Sequence, residues 1–581
     1  MSSDDKTPAC CAIDAGWVQA TELPFRRRFS TGLGPLLGLL SAACGDAEPS
    51  VPPSAPPSCS ELATRPLGLP GLVVTTAEEL PASSGEVAYP AHCMLTGQLD
   101  AREGIDGKPY AIGFELRLPL EDYAQRFFFQ GGGGTDGVTT PAYGDLINST
   151  ATNALTLGYA VVSTDGGHAT GMMDVSFGLD PQARVDYGYN AVGRVTRVAK
   201  ALLREFYGSE PARSYFLGCS NGGRQALVAA TRFAEEFDGI VAAAPGLHLP
   251  QAALAQAWDT RQLLSAAPAG QLPKDAFPTS SLATVADQVL ARCDALDGLA
   301  DGIVHDSEQC QRNFDLERDV PTCSAAGAAT CLSSAQKVAL QKVFSGVVNG
   351  AGLGLYSTWP WDPGLSGGGW RFWKLDAGFA PLPFNTLIGA SALGYVFTTP
   401  PDQPDLSDGG LAYQLGFDFD TGAAKIFATD PTFDESAMEF MTPPNPSELG
   451  SFQAHGGKLI VVHGSADPVF SAHDTVAWYR GLLAADPDAA AYARLFLVPG
   501  MNHCIGGPAT DRFELLPALE RWVEAGAAPD ALVATVNPAD PDVAARGWPS
   551  TRSRPLCAYP GHAVAQPGAQ DLEQASSFSC Q

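Results

Sequence analysis

Positively charged side chains are scarce in this sequence. Lys and Arg number 35 against 63 Asp and Glu, so the formal net charge is -28 at neutral pH. Such a chain repels a phosphate backbone, and nucleic acid is therefore not expected as a partner. Charged residues make up only 17% and hydrophobic residues 45% of the chain, a balance that excludes general disorder and predicts a folded core.

The N-terminal segment lacks a hydrophobic run long enough to cross a bilayer. Its apolar stretch, residues 32–43, is shorter than the roughly 20 residues that a spanning helix needs. The stretch follows the basic residues 26–28 and ends in small residues before Cys44, which is the pattern of an export signal. Cys44 is either a lipidated cysteine or part of an ordinary secretion signal, since Ser41 stands where a lipobox prefers Leu. We interpret residues 1–44 as a leader.

No Cys-x-x-Cys pair occurs in the chain, so a zinc site is not expected. Of the thirteen cysteines, Cys10, Cys11 and Cys44 lie in the predicted leader, which leaves ten. An even number of cysteines in an exported protein indicates disulfides. The ten are Cys59, Cys93, Cys219, Cys293, Cys310, Cys323, Cys331, Cys504, Cys557 and Cys580.

Strand and helix patterns alternate in two separate parts of the chain, which predicts an α/β protein with a parallel sheet. Between the two parts the alternation stops, and scattered helical patterns, Gly/Pro turns, four cysteines and many aromatic residues take its place. We therefore predict one α/β domain with a lid domain inserted in its middle. Strands are predicted at 110–118, 127–129, 159–163, 214–218, 240–244, 458–463 and 494–498, and helices at 189–206 and 222–233; the linker is 45–57, the α/β domain 58–248 and 451–581, and the lid 249–450.

Gly218-Cys219-Ser220-Asn221-Gly222 matches the Gly-x-Ser-x-Gly pattern and lies between a predicted strand and a predicted helix. In that setting the flanking glycines permit a sharp turn that holds the serine hydroxyl clear of the backbone. The following helix N-terminus favours negative charge that develops nearby. Without this setting, an ordinary Gly-rich turn would explain the motif equally well. The pattern predicts Ser220 as a nucleophile.

A serine nucleophile needs a base and an acid that orients the base. In folds that place a serine on such a strand-turn-helix motif, the catalytic acid precedes the histidine in sequence, and each of the two follows a strand. Asp467 lies in the turn after the predicted strand 458–463, and His503 lies in the turn after 494–498. Asp474 is close in sequence and is an alternative acid, in which case Asp467 would only cap its turn.

Two cysteines adjoin the predicted serine and histidine. Cys219 directly precedes Ser220, and Cys504 directly follows His503. A disulfide between them would hold their Cα atoms about 4.4–6.8 Å apart. The nucleophile and the base would then be neighbours despite their separation in sequence.

A glycine run supplies candidate backbone donors for an oxyanion. Residues 131–134 are four glycines that follow the predicted strand 127–129 with one residue between, like the glycine run of esterases. One donor is expected from Gly132 or Gly133, and the other from the N–H of Asn221, next to the nucleophile.

Residues 293–303 concentrate three carboxylates, Asp294, Asp297 and Asp301, between glycines. Carboxylates combined with backbone carbonyls suit a hard cation such as Ca²⁺, although the spacing is not that of an EF-hand. Cys293 and another cysteine, Cys310, bracket the loop. From composition alone, a calcium loop and a solvated acidic turn are equally good interpretations.

Together these residues resemble the tannase and feruloyl esterase family of α/β-hydrolases, which includes enzymes acting on mono(2-hydroxyethyl) terephthalate. The hallmark of that family is a Cys-Ser, Asp and His-Cys arrangement in which a disulfide ties the serine to the histidine. Cys219-Ser220, Asp467 and His503-Cys504 match it residue by residue. The resemblance implies an α/β-hydrolase fold with a large inserted lid domain.

The resemblance extends from about residue 59 to the C-terminus and implies further site residues. The sequence departs from the family pattern at Asn221, where relatives often carry Thr or another residue. This difference is expected to alter the pocket more than the chemistry. The resemblance implies a structural Ca²⁺ in the lid and no organic cofactor. The implied calcium ligands are the side chains of Asp294, Asp297 and Asp301 with the carbonyls of Leu299 and Ile303, and the implied disulfides are Cys59–Cys93, Cys293–Cys310, Cys323–Cys331 and Cys557–Cys580.

The resemblance implies a serine carboxylic ester hydrolase, secreted or held at the cell surface or in the periplasm, that cleaves esters of aromatic acids through an acyl-enzyme. Feruloyl-type esters are favoured; a tannase or a terephthalate-monoester hydrolase is the alternative. A peptidase and a lipase are rivals among enzymes, and the lipase is disfavoured because the lid lacks a long exposed aliphatic stretch. An inactive surface protein that binds phenolics is the alternative outside enzymes. The lid aromatics Trp359, Trp361, Trp370, Phe372, Trp373 and Phe384 either stack on the acyl group or form the lid core.

Overall fold

Short apolar runs form a nine-stranded central sheet. The computed structural model describes residues 57–85, 87–150, 153–324 and 330–581, so the predicted leader with Cys44 and nearly all of the predicted linker lie outside the described residues. The strands are β1 (Leu72–Leu80), β2 (Ser83–Ser84), β3 (Ala88–Tyr89), β4 (His92–Glu103), β5 (Pro109–Pro119), β6 (Arg126–Gln130), β7 (Ala160–Thr164), β8 (Arg213–Cys219), β9 (Gly239–Ala243), β10 (Lys458–Gly464), β11 (Ala493–Val498), β12 (Ala531–Thr535), β13 (Ser553–Cys557), β14 (Ala563–Ala565) and β15 (Phe578–Cys580).

The central sheet has the order β1-β4-β5-β7-β6-β8-β9-β10-β11. From β7 to β11 every neighbouring pair is parallel, whereas β1, β4 and β5 add an antiparallel edge. All the strands predicted from sequence are present in it. Because the carboxyl ends of parallel strands meet at one edge of a sheet, the turns after β8, β10 and β11 come together there.

Helices cover both faces of the sheet. Side chains of α2, α3 and α15 pack with Phe127 and Phe129 on one face, and α16 packs with Phe128 on the other, as the alternation of side chains along a strand requires. The α-helices are α1 (Pro181–Val185), α2 (Ala191–Tyr207), α3 (Asn221–Arg232), α4 (Leu249–Ser265), α5 (Pro273–Ala276), α6 (Thr279–Cys293), α7 (Ser307–Asn313), α8 (Leu316–Asp319), α9 (Ser334–Phe344), α10 (Gly368–Lys374), α11 (Phe384–Ala392), α12 (Leu411–Gly416), α13 (Ala437–Met441), α14 (Gly450–His455), α15 (Ala472–Ala485), α16 (Leu515–Ala525) and α17 (Pro541–Arg546).

The insertion between β9 and β10 is helical, with α4 to α14 following one another along the chain. These helices share a hydrophobic core of their own, to which Phe344, Trp361 and Trp370 contribute, and side chains from residues 175–187 of the α/β part join it. This arrangement agrees with an inserted lid, although the boundaries 249–450 stay a prediction. No helix in the described ranges is long and apolar enough to span a membrane.

Five disulfides tie the described chain together, in the pairs that the family resemblance implies. Four of them close loops of 8 to 34 residues, whereas Cys219–Cys504 joins residues 285 apart in sequence. The short pairs are Cys59–Cys93, Cys293–Cys310, Cys323–Cys331 and Cys557–Cys580.

Candidate active site

Ser220 occupies a sharp turn between β8 and α3. Its φ of 63° and ψ of −123° are strained for a residue with a side chain, and the backbone around it is packed tightly. A Cβ on Gly222 would lie 2.5 Å from the carbonyl oxygen of Gly132, and a Cβ on Gly218 would lie 2.5 Å from that of Gly222. Both glycines of the motif are therefore required, and the serine hydroxyl is held at the edge of the sheet.

His503 and Asp467 meet this serine. The imidazole Nε2 lies 2.9 Å from Ser220 Oγ, although the two residues are 283 positions apart in sequence, and Nδ1 lies 2.8 Å from Asp467 Oδ2. Such a chain lets the imidazole accept the serine proton while the carboxylate holds it in the required tautomer. The structure thus brings the three predicted residues together in the geometry of a nucleophile, a base and an orienting acid.

The Asp467 carboxylate is buried yet stays ionised. Burial raises its pKa, but the charge and hydrogen bond of His503 and those of His463 outweigh burial, so the pKa lies below the ordinary value. Oδ1 accepts the backbone N–H groups of Val469 and Phe470, at 2.7 and 3.1 Å. The side chain is therefore fixed by contacts on both oxygens.

Asp474, the alternative acid, lies elsewhere. Its Oδ1 is 2.8 Å from Nδ1 of His248, at the start of α4, and not beside His503. His463 is a contact that the sequence did not predict: its Nε2 lies 3.3 Å from Asp467 Oδ2. The only sequence signal for it was a histidine at the end of a predicted buried strand.

The disulfide Cys219–Cys504 flanks the serine and the histidine. Its Cα atoms are 6.2 Å apart, and Cys504 has a φ of 66°, so the backbone after His503 turns back toward Ser220. The bond joins the turn after β8 to the turn after β11, which belong to the two separate sequence segments of the α/β part.

Removing this disulfide is expected to lower both stability and activity. In a Cys219→Ala/Cys504→Ala variant the free energy of unfolding should fall by about 3–5 kcal/mol, because a very long loop of the unfolded chain is no longer closed. The value of kcat should fall by about 100-fold as the serine and imidazole lose their fixed separation. Denaturant unfolding and ester hydrolysis measure the two effects.

The matched control is Cys557→Ala/Cys580→Ala, which removes a disulfide closing 23 residues. It should lower stability while leaving kcat unchanged. A Cys219→Ala/Cys504→Ala protein with the kcat of the wild type would show that the bond does not position the site.

The glycine run after β6 is only partly available for an oxyanion. The N–H of Gly132 donates to Oε1 of Gln225 at 2.9 Å, which favours Gly133 among the two predicted glycines as the oxyanion donor. A Cβ on Gly133 would meet no atom within 4 Å, which shows that Gly133 borders open space. The sequence did not predict this contact of Gln225, which lies in the helix after Ser220, because nothing in the sequence position of Gln225 indicated it.

The side chain of Asn221 is used in hydrogen bonds within the protein. Its Nδ2 donates to Asp136 Oδ1 at 2.6 Å, and its Oδ1 accepts from Arg224 at 2.8 Å. These buried contacts fix the first turn of α3. The backbone N–H of Asn221, at that helix start, stays the predicted second oxyanion donor.

A cavity of about 230 Å³ opens beside Ser220 and His503. Two of the predicted lid aromatics line it: the rings of Trp373 and Phe384 are 4.9 Å apart, and Trp373 is 5.1 Å from the His503 ring. Phe372 packs against both of these lid residues. Trp359, Trp361 and Trp370 are at most 8% exposed and belong to the lid core.

The acidic loop of the lid has protein partners throughout. Asp294 Oδ1 accepts the N–H groups of Asp301 and Gly302, both at 3.0 Å, and Asp301 Oδ2 lies 2.5 Å from a guanidinium nitrogen of Arg554. Within the described ranges, no group of three or more His, Cys, Asp or Glu side chains is placed to hold a metal ion. The calcium ligands, including Asp297, stay a prediction.

Comparisons with known proteins agree with this architecture. The family model for tannase and feruloyl esterase matches residues 93–581. A mono(2-hydroxyethyl) terephthalate hydrolase of Piscinibacter sakaiensis is 41% identical over 87% of this chain and 88% of its own length. A probable feruloyl esterase B-1 of Aspergillus fumigatus is 29% identical over 72% of this chain and 74% of its own.

Solved structures show the same fold. The crystal structure of feruloyl esterase B from Aspergillus oryzae matches with a TM-score of 0.68 at 24% identity, over 88% of this chain and 97% of the other. Tannin acyl hydrolase from Aspergillus niger matches with a TM-score of 0.62 at 20% identity, over 88% and 92%. The predicted α/β-hydrolase fold is confirmed, and the chain belongs to the tannase and feruloyl esterase family.

Proposed function

We propose that this protein is a serine carboxylic ester hydrolase that cleaves esters of aromatic acids, with feruloyl-type esters favoured. The observation that carries the proposal is the hydrogen-bonded chain from Ser220 through His503 to Asp467, which opens onto an aromatic-lined cavity. Membership of a family of ester hydrolases supports the same reaction class.

Acylation begins when His503 Nε2 accepts the proton of Ser220 Oγ as the oxygen attacks the ester carbonyl. The tetrahedral intermediate expels the alcohol, which takes the proton back from the imidazole. Water, activated by the same nitrogen, then attacks the acyl-enzyme and releases the acid. Asp467 does not change protonation; it stabilises the imidazolium in both steps.

The oxyanion of each tetrahedral intermediate rests on backbone N–H groups of Gly133 and Asn221. Gly133 replaces Gly132 in this role because it borders open space, and the start of α3 adds a favourable dipole at Asn221. Each donor is expected to lower the barrier by about 3–4 kcal/mol.

The test is a panel of methyl ferulate, methyl gallate and a short-chain nitrophenyl ester, assayed with the wild type and with Ser220→Ala. Preference for methyl gallate would favour a tannase. A terephthalate-monoester hydrolase is a second candidate, which the 41% identity to the Piscinibacter protein favours. Equal turnover by the wild type and the variant would exclude a serine esterase that acts through Ser220. No turnover above background by either protein would leave the alternative of an inactive protein that binds phenolics.

Export of the protein is supported by its five disulfides, which persist in oxidising compartments. The leader 1–44 directs the chain out of the cytoplasm, and Cys44 is either lipidated or removed with the leader. Mass spectrometry of the N-terminal peptide of the mature protein distinguishes the lipoprotein from the freely secreted form.

The lid loop 293–303 would hold Ca²⁺ through the side chains of Asp294, Asp297 and Asp301 with the carbonyls of Leu299 and Ile303. Burial raises the pKa of Asp297 to about 7, and the charges of Asp301 and Asp294 add to that rise, an energetic cost that a cation would relieve. Arg554 opposes the cation, because it competes for Asp301. The ion would be structural and would take no part in the chemistry.

Calcium is expected to raise the thermal stability of the protein. After chelation, adding Ca²⁺ should raise Tm by several degrees, because a ligand that binds only the folded state stabilises it. Asp297→Asn should abolish the rise, whereas Asp287→Asn, in an exposed part of α6, should leave it intact. Identical melting curves with and without Ca²⁺ would remove the proposed site.

A further inference from the structure

The cavity beside Ser220 lacks a positive charge. Among the described residues, no Lys or Arg lines it. Its wall is formed mainly by apolar side chains, including Ile388 of α11, Met172, Phe397 and Val469. Ile388 lies close to the glycine run, since a Cβ on Gly134 would be 3.5 Å from its Cδ1.

Two buried carboxylates lie near this cavity. Asp467 stands behind His503, and Asp136 lies under the glycine run, where a Cβ on Gly132 would be 2.8 Å from its Oδ2. Burial raises the pKa of Asp136 to about 6, while the hydrogen bonds from Gln225 and Asn221 and the charge of Arg224 act in the opposite direction.

The nearby cationic side chains, Arg224 and Lys374, are paired with other groups of the protein. Arg224 is fully buried and donates to the backbone carbonyls of Gly188 and Met441, at 2.6 and 3.2 Å. Lys374 is buried in an ion pair with Asp259. Neither side chain lines the cavity, so neither can neutralise a bound anion.

We infer that this cavity selects aromatic acyl groups that carry no free carboxylate. The inference rests on the proposed ester hydrolysis and narrows its substrate class. A carboxylate on the acyl ring would be buried among apolar side chains without a cationic partner, which is strongly unfavourable. The half-ester of terephthalic acid, which the name of the Piscinibacter relative specifies, carries such a carboxylate.

Gln256 of α4 is a neutral polar side chain in the cavity wall that can contact the aromatic ring of the substrate. Its side chain is 4% exposed and lines the cavity, and among the described residues no hydrogen bond uses its amide. Gly389 of α11 makes room for it, because a Cβ there would lie 2.2 Å from Gln256 Oε1. An amide both donates and accepts, so it suits a phenolic hydroxyl or a methoxy oxygen.

The experiment compares dimethyl terephthalate with monomethyl terephthalate on the full-length wild-type enzyme at neutral pH. The two substrates share the acyl ring and the leaving group and differ in the second carboxyl. After correction for the two ester groups and for the ratio of alkaline hydrolysis rates, kcat/KM for the diester should exceed that for the monoester by about 100-fold. A corrected ratio below tenfold overturns the inference.

Two variants of Ile388 check that charge causes the difference. Ile388→Arg should lower the corrected ratio by at least about tenfold, because the guanidinium gives the carboxylate a partner. Ile388→Met, a neutral residue of similar volume, should leave the ratio unchanged. Equal ratios in both variants would mean that the lining charge does not set the preference.

The proposed contact between Gln256 and the substrate ring is tested separately, by comparing two esters. Gln256→Leu should lower kcat/KM for methyl ferulate about tenfold while changing that for unsubstituted methyl cinnamate little, because only ferulate has ring oxygens to bind. An equal effect on both esters contradicts the contact. If none of these esters is hydrolysed by the wild type, the proposed function itself fails, whereas a small diester-to-monoester ratio with active enzyme removes only the inference.

Discussion

Replacing Ser220 with alanine is expected to lower kcat for methyl ferulate by about 10⁶-fold. The alanine removes the oxygen that lies 2.9 Å from His503 Nε2, so no acyl-enzyme forms and only the surrounding donors act on the ester. Substrate binding should change little, because one hydroxyl is a small part of the cavity wall. Single-turnover kinetics with purified protein measures the loss.

The control is Ser465→Ala, a second buried serine near the site. Its Oγ has no hydrogen-bond partner among the described residues, so no base activates it, and its removal should leave kcat unchanged. Melting curves of both variants should match the wild type. A Ser220→Ala protein that keeps more than a hundredth of the activity would exclude Ser220 as the nucleophile.

Replacing Asp467 with asparagine is expected to lower kcat by about 10⁴-fold while the shape of the site persists. The amide removes the negative charge that stabilises imidazolium, and its NH₂ favours the wrong tautomer of His503. Asp467 also accepts backbone N–H groups of Val469 and Phe470, which one amide oxygen can still do. Steady-state kinetics at saturating ester measures the effect.

Asp474→Asn is the matched control, because the same exchange is made seven residues later. Asp474 pairs with His248, so its loss should affect the start of α4 and leave kcat within about twofold of the wild type. If Asp474→Asn were the inactive variant and Asp467→Asn the active one, the acid would have been assigned to the wrong turn.

Most of the strands that the sequence predicted are parallel strands buried on both faces, and β5 was predicted from its alternating pattern. Phe127, Phe128 and Phe129 are fully buried, and continuous apolar runs of this kind are typical of parallel strands. The antiparallel strands β1 and β4 were not predicted, because β1 is an exposed edge strand whose burial pattern carries no clear periodicity. Local pattern therefore sufficed for the parallel strands and for β5, and it failed at the exposed edge strand β1.

The active site, like the sheet, was predicted from sequence only in part. The order serine, acid, histidine and the adjacent cysteines predicted which turns meet, because the carboxyl ends of parallel strands share one edge. The choice between Gly132 and Gly133 depended on Gln225, which is 93 residues from Gly132 in sequence, and no local pattern reports such a contact. The six lid aromatics likewise separated into cavity wall and core only through the packing of the lid helices.

The sequence by itself determined the reacting groups and the order of the turns that carry them, because motif spacing and strand periodicity are local properties of the chain. Only the tertiary structure decided which N–H is free to bind an oxyanion, which of two aspartates reaches His503, and what charge surrounds the substrate. Those outcomes depend on which distant side chains are already hydrogen-bonded or ion-paired, and pairing is a property of the folded arrangement.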